Sequence, residues 1–218
     1  MSAADKGGVI LYSSPTCGWA VRNYAALAEK GVPFEVIDVK RADAEATAAW
    51  RASSPYGKTP SLVHGKVAVW ESQVINEYLD QAFPQTPLAP ASPEARTLAR
   101  LWIWHCDGVL FPLVYRLSGA QEEADRLAAA AALADGIAAL EHPAFGRDRL
   151  SPFWDGERLG LVDIAYQVLF ETLDRVEDWA RTPVTIPAWF QAWSAAVDAA
   201  PSIRSAKAVV AALRRAAG

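Results

Sequence analysis

The chain has 218 residues, 52% of them hydrophobic and 21% charged, the balance of a folded globular protein with room for one large domain or two modest ones. A formal net charge of −4 leaves no basic surplus to neutralise a phosphate backbone or an anionic bilayer, which argues against nucleic acid and membrane as partners. The two cysteines, Cys17 and Cys106, lack the paired spacing of a zinc site, no signal-peptide core opens the chain, and no apolar run approaches the roughly 18 residues that cross a bilayer. The expectation is a metal-free cytoplasmic protein whose thiols stay reduced.

In chain order, Val9 to Tyr12 reads as a buried strand. Ala20, Val21, Tyr24, Leu27 and Ala28 then recur at helical spacing up to Gly31, which suits a left-handed cap, with Pro33 two residues on. Phe34 to Val39 is a second strand, which favours a right-handed parallel crossover. Asp43 to Ala52 is a weak, Ala-rich helix. Ser61 to Val63 and Val67 to Trp70 are short strands joined by a tight turn at His64-Gly65. A helix opens at Ser72, carries Val74, Ile75, Tyr78, Leu79 and Ala82 on one face, and stops near Pro84. This order, β-α-β-α-β-β-α, is that of a thioredoxin-like α/β domain over residues 1–84.

Residues 85–93, rich in proline, read as a linker, and residues 94–218 as an all-α helical bundle domain. Its first helix holds Leu98, Leu101, Trp102, His105 and Val109 and is kinked by Pro112. Further helices are expected at 122–140, 161–173, 187–199 and 203–216.

Cys17 stands where the first strand gives way to the first helix. A thiol at a helix N-terminus faces unpaired N–H groups and the positive end of the helix dipole, which can bring a cysteine pKa from about 8.5 into the range of about 3.5 to 7.5 and make a nucleophile. The competing reading is a small buried apolar residue. Ser14 offers a hydroxyl in the same loop, although Ser-Pro before a helix is also an ordinary turn. Downstream, Ser72 can cap its helix or present hydroxyl and N–H groups to a carboxylate, and Glu71 beside it can pair with an amine. Lys58 is either a solvated lysine or the partner of a second carboxylate.

The run Cys17-Gly18-Trp19-Ala20-Val21-Arg22, with Thr59-Pro60 before a strand and Glu71-Ser72 before a helix, resembles the glutathione-binding half of the glutathione transferase family. The register is similar to that of its cysteine-type, omega-like members and their bacterial relatives. The resemblance implies glutathione as co-substrate, a cis bond at Thr59-Pro60 (the residues alone leave the isomer open), Glu71 and Ser72 on the γ-glutamyl end, and a homodimer. Cys17 then transfers thiol groups. With Ala20 three residues on, there is no C-x-x-C partner, so a second glutathione must resolve the intermediate. Ser14-led conjugation or isomerisation, or a non-catalytic binding role, are the alternatives. Gly18 stands where these relatives carry proline, and Gly160-Leu161-Val162-Asp163 replaces their Ser/Thr-led capping box. The second substrate, small and apolar or aromatic, is expected between the domains against Trp19, Trp104, Phe111 and Tyr115, with Trp102, His105 and Cys106 assigned to packing.

Overall fold

The computed structural model describes residues 8–146, 148 and 150–217. These divide into two compact units: residues up to Leu88 together with those from Ala200 on, and Ala89–Ala199. The helical segment at the end of the chain, expected in the second domain, therefore groups with the first.

In the first unit, β1 (Val9–Ser13), β2 (Phe34–Asp38), β3 (Ser61–His64) and β4 (Val67–Trp70) form one sheet in the order β2-β1-β3-β4. β1 pairs parallel with β2, Val9 opposite Phe34, and antiparallel with β3, Tyr12 opposite Ser61. The β3–β4 hairpin turns on Gly65-Lys66 rather than His64-Gly65, because His64 pairs with Val67 and Gly65 takes the positive φ of 59° that the tight turn requires.

α1 (Ala20–Glu29) ends as its sequence indicates. Gly31 at φ 63° reverses the chain, and Val32 N–H donates back to the Leu27 carbonyl at 3.0 Å, a Schellman closure. α2 (Ala44–Ser53) is capped by Asp43, whose carboxylate accepts from Ala46 N–H at 2.8 Å. α3 is Ser72–Ala82. Leu11, Leu27, Leu62, Ile75 and Leu79 are fully buried, each contributing on the order of 1.5–3 kcal/mol by leaving water. The Lys30 side chain, fully buried, donates to the Asp80 carboxylate at 3.0 Å and to the Thr86 carbonyl at 2.6 Å, tying α1 to α3 and to the chain that follows.

The second unit begins with α4 (Pro93–His105), which passes through one π-helical turn, Cys106–Leu110, into α5 (Phe111–Gly119) with Pro112 in its first turn. The expected kink is this wide turn: it releases the backbone acceptor that a proline cannot satisfy. α6 (Glu123–Ala138), α7 (Leu161–Leu173), α8 (Val176–Ala180) and α9 (Ala188–Ala199) complete the unit; α8, a five-residue helix, is too short to show a period in the sequence. Its core is aromatic: Trp102, Trp154, Tyr166, Phe190 and Trp193 are buried, and Trp102 packs edge-on against Trp193 at 5.5 Å between ring centres. α10 (Pro201–Ala217), back in the first unit, packs along α1 with Ile203 and Ala206 fully buried.

Candidate active site

The loop after β1 is built from two turns. Cys17 N–H donates to the Ser14 carbonyl at 3.0 Å, and Val21 N–H to the Gly18 carbonyl at 3.1 Å. Helix α1 starts only at Ala20, so Cys17 lies three residues ahead of it, half-buried. Its thiol donates to the Thr59 carbonyl at 3.4 Å, a contact across 42 residues that the sequence could not display. The Thr59-Pro60 bond is cis. Thr59 N–H makes no hydrogen bond to the described residues, so an N–H and a carbonyl stand together at the thiol, the pairing edge an extended peptide uses.

Ser14 is only 9% exposed, and its hydroxyl lies 3.4 Å from Thr16 Oγ1. That hydroxyl in turn accepts from Lys40 Nζ at 3.2 Å. Lys40 was not singled out in the sequence. The signal lies in the parallel register: Ser13 is opposite Asp38 and Val39 N–H donates to the Ser13 carbonyl at 2.8 Å, so residues just past β2 flank the loop just past β1. Trp19, expected to face a second substrate, carries the fully buried Arg22 guanidinium 4.5 Å above its ring, an attraction of about 1–2 kcal/mol.

At α3 the cap falls one residue earlier than expected: Glu71 is the cap and Ser72 the first helical residue. No side chain caps this helix, so its first N–H groups are open to an anion. Glu71 is held at φ 67°, a conformation costing a residue with a side chain on the order of 1–3 kcal/mol, and its carboxylate is exposed and unpaired among the described residues. Asn23 of α1 fixes the segment from below, donating to the Ser72 carbonyl at 2.9 Å and to Asn76 Oδ1 at 2.7 Å. Lys58 has its backbone pinned on both sides by Ser54 Oγ, at 3.1 Å and 2.9 Å, and its side chain is exposed.

The remaining expected site residues belong to the second unit. Trp104 and Tyr115 are 64% and 57% exposed, while Phe111 is buried with its ring 6.1 Å from that of Tyr115. Trp102, His105 and Cys106 are core residues, as their spacing indicates. Burial pushes the His105 pKa down, and Nε2 donates to the Gly136 carbonyl at 2.9 Å, which makes it a packing histidine.

The altered capping box at α7 keeps one half of its bonding. Gly160 offers no side chain, but its N–H donates to Asp163 Oδ2 at 2.8 Å. Asp163 Oδ1 also accepts from Trp154 N–H at 2.9 Å and Trp193 Nε1 at 2.7 Å. Complete burial pushes its pKa up to about 6, against the pull of these donors.

Residues 7–81 match the model of the glutathione S-transferase N-terminal domain. A probable glutathione S-transferase GSTU6 from Oryza sativa subsp. japonica is 34% identical over 211 residues, covering 88% of this chain and 85% of the relative. The chain belongs to the glutathione S-transferase family. Among solved structures, glutathione transferase Omega 3C from Trametes versicolor is 21% identical at a TM-score of 0.79, covering 94% of this chain and 92% of that one. The Tau class glutathione S-transferase MiGSTU from mango, Mangifera indica L., is 23% identical at a TM-score of 0.80, covering 97% and 98%. The last two likenesses establish the fold: a thioredoxin-like α/β domain followed by helices. In this transferase the matched segment contains Cys17, Lys40, Thr59, Glu71 and Ser72. No group of His, Cys, Asp and Glu among the described residues could hold a metal ion, and none of the described helices is long and apolar enough to cross a membrane.

Proposed function

We propose that this glutathione transferase is a thiol transferase with Cys17 as its nucleophile and glutathione as its co-substrate, acting on glutathionyl mixed disulfides or on small aromatic thioethers of glutathione. The contact of the Cys17 thiol with the Thr59 carbonyl carries the reading, because it sets an accessible sulfur beside the main-chain edge that pairs with the tripeptide. Glu71 and the open N-terminus of α3 take the γ-glutamyl amine and carboxylate, and Lys58 or Lys40 the glycyl carboxylate. The Cys17 thiolate attacks the glutathionyl sulfur of a mixed disulfide, forming an enzyme–glutathione disulfide and expelling the other thiolate. A second glutathione thiolate then attacks that disulfide, leaving glutathione disulfide and free Cys17. We place the protein in the reducing cytoplasm as a homodimer, which sizing in solution checks.

The second reading is conjugation or isomerisation led by Ser14, whose hydroxyl is linked through Thr16 to Lys40. Glutathione-dependent reduction of a hydroxyethyl mixed disulfide by the native chain and by Cys17→Ala separates the two. Activity lost on the order of a thousandfold or more in the variant is the expected result. Reduction that survives in Cys17→Ala overturns the reading. An inactive native chain moves the role to Ser14 or, if it is still retained on immobilised glutathione, to non-catalytic binding.

A further inference from the structure

The segment that closes the first unit reaches the loop that carries Cys17. α10 packs along α1, and near its end Arg214 Nε donates to the Pro15 carbonyl at 3.2 Å. Pro15 is two residues before Cys17. One Nε–H satisfies that bond, and the terminal nitrogens of the guanidinium have no hydrogen-bond or ion-pair partner among the described residues. Lys40 reaches the same loop through Thr16, and its Nζ has no acidic partner among the described residues. In a chain of net charge −4, two cations with no acidic partner among the described residues, distant in sequence, thus converge on the loop of residues 14–19. The latch on Pro15 holds the Arg214 fork in place, which lowers the ordering cost of gripping an anion.

We propose that Arg214 selects the acceptor half of the substrate: it binds a carboxylate or sulfonate carried by the group attached to the glutathione sulfur. The inference rests on the proposed site around Cys17. Lys40 faces the loop from the β2 side through Thr16, whereas Arg214, in the same unit, arrives from α10 at Pro15 with its terminal nitrogens left for the group beyond the sulfur. The preferred substrates are glutathionyl mixed disulfides of small acidic thiols. Attack of the Cys17 thiolate breaks their S–S bond, leaves the glutathionyl group on Cys17 and expels the acidic thiol as its thiolate, a second negative charge beside the same guanidinium.

The test is binding of two unreactive conjugates, S-(2-carboxyethyl)glutathione and S-(3-hydroxypropyl)glutathione, to the native chain and to Arg214→Gln by titration calorimetry, at two salt concentrations. The ratio of the two affinities is the readout. We expect the native chain to favour the carboxylate conjugate by about tenfold, the preference to shrink with salt, and Arg214→Gln to bring the ratio close to one, with Arg214→Lys restoring part of it. Equal native affinities, or a preference that survives in Arg214→Gln, overturn the proposal. So does a loss of affinity for both conjugates alike, which assigns the latch to loop structure only. Because neither probe turns over, an acid preference without disulfide reduction refutes the thiol-transfer reading and leaves the anion site standing.

Discussion

Around Asp163 the carboxylate is completely enclosed and receives N–H donors from Trp154, Gly160 and Trp193, whereas around Cys17 the polar groups keep bonding capacity to spare. Among the described residues, Thr59 N–H, the Glu71 carboxylate, the first N–H groups of α3 and the cations of Lys40 and Arg214 have donors or an acceptor left over. The same physics governs both places. Buried polar groups must be satisfied by the chain itself, and only where solvent or a ligand can reach may they be left for a partner. A saturated centre holds a fold together, while an unsaturated one at the surface is where binding is built.

Removing the acceptor from the saturated centre has the largest expected effect. Asp163→Ala strands three N–H donors in the aromatic core and should lower the unfolding free energy by about 3 kcal/mol or more, read from urea denaturation. A loss well under 1 kcal/mol would break the contrast, because it would mean that water satisfies those donors.

The pH dependence of the same carboxylate sharpens it. Its pKa is about 6 in the folded chain, above the ordinary value of 3.8, so between these values the folded state binds more protons than the unfolded one. The stability that protonation contributes is fully present below the unfolded value and is lost as pH rises through about 6. Relative to Asp163→Asn, which does not titrate, the native chain should therefore gain stability on acidification from pH 7 to 4, by roughly 1 kcal/mol per unit within the window. A difference that is flat with pH, or falls on acidification, contradicts a carboxylate desolvated by its surroundings.

The unsaturated side yields the smallest effect and the one of opposite sign. Glu71→Gly should stabilise the fold by about 1 kcal/mol, since glycine occupies φ 67° without strain. At the same time it should raise KM for glutathione about tenfold by removing the carboxylate proposed to pair with the amine. A variant that is less stable, or that binds glutathione as before, would show that Glu71 owes its conformation to packing.

Much of the first unit was legible in the sequence because its signals are local. Gly31 ends α1, Asp43 starts α2, and the strands stand out between them. The hairpin was misplaced by one residue because His64 and Val67 are both compatible with a last strand pair, and only the pairing itself decides. Cys17, Thr59, Glu71 and Ser72 were legible as a pattern, but the contact that joins Cys17 to Thr59 and the left-handed backbone of Glu71 were not, because a glutamate gives no local warning of a positive φ. Lys40 and Arg214 were missed for a related reason. Their place beside the loop comes from strand register and from α10 lying along α1, both long-range consequences of folding.

That position of α10 bears on how the protein is made. On a ribosome the four strands and α1 to α3 emerge first, then the whole of Ala89–Ala199, and only afterwards the helix that covers α1. Until α10 follows, the face of α1 that it covers must stay open or be shielded by a chaperone, so the unit that begins first is the last to close.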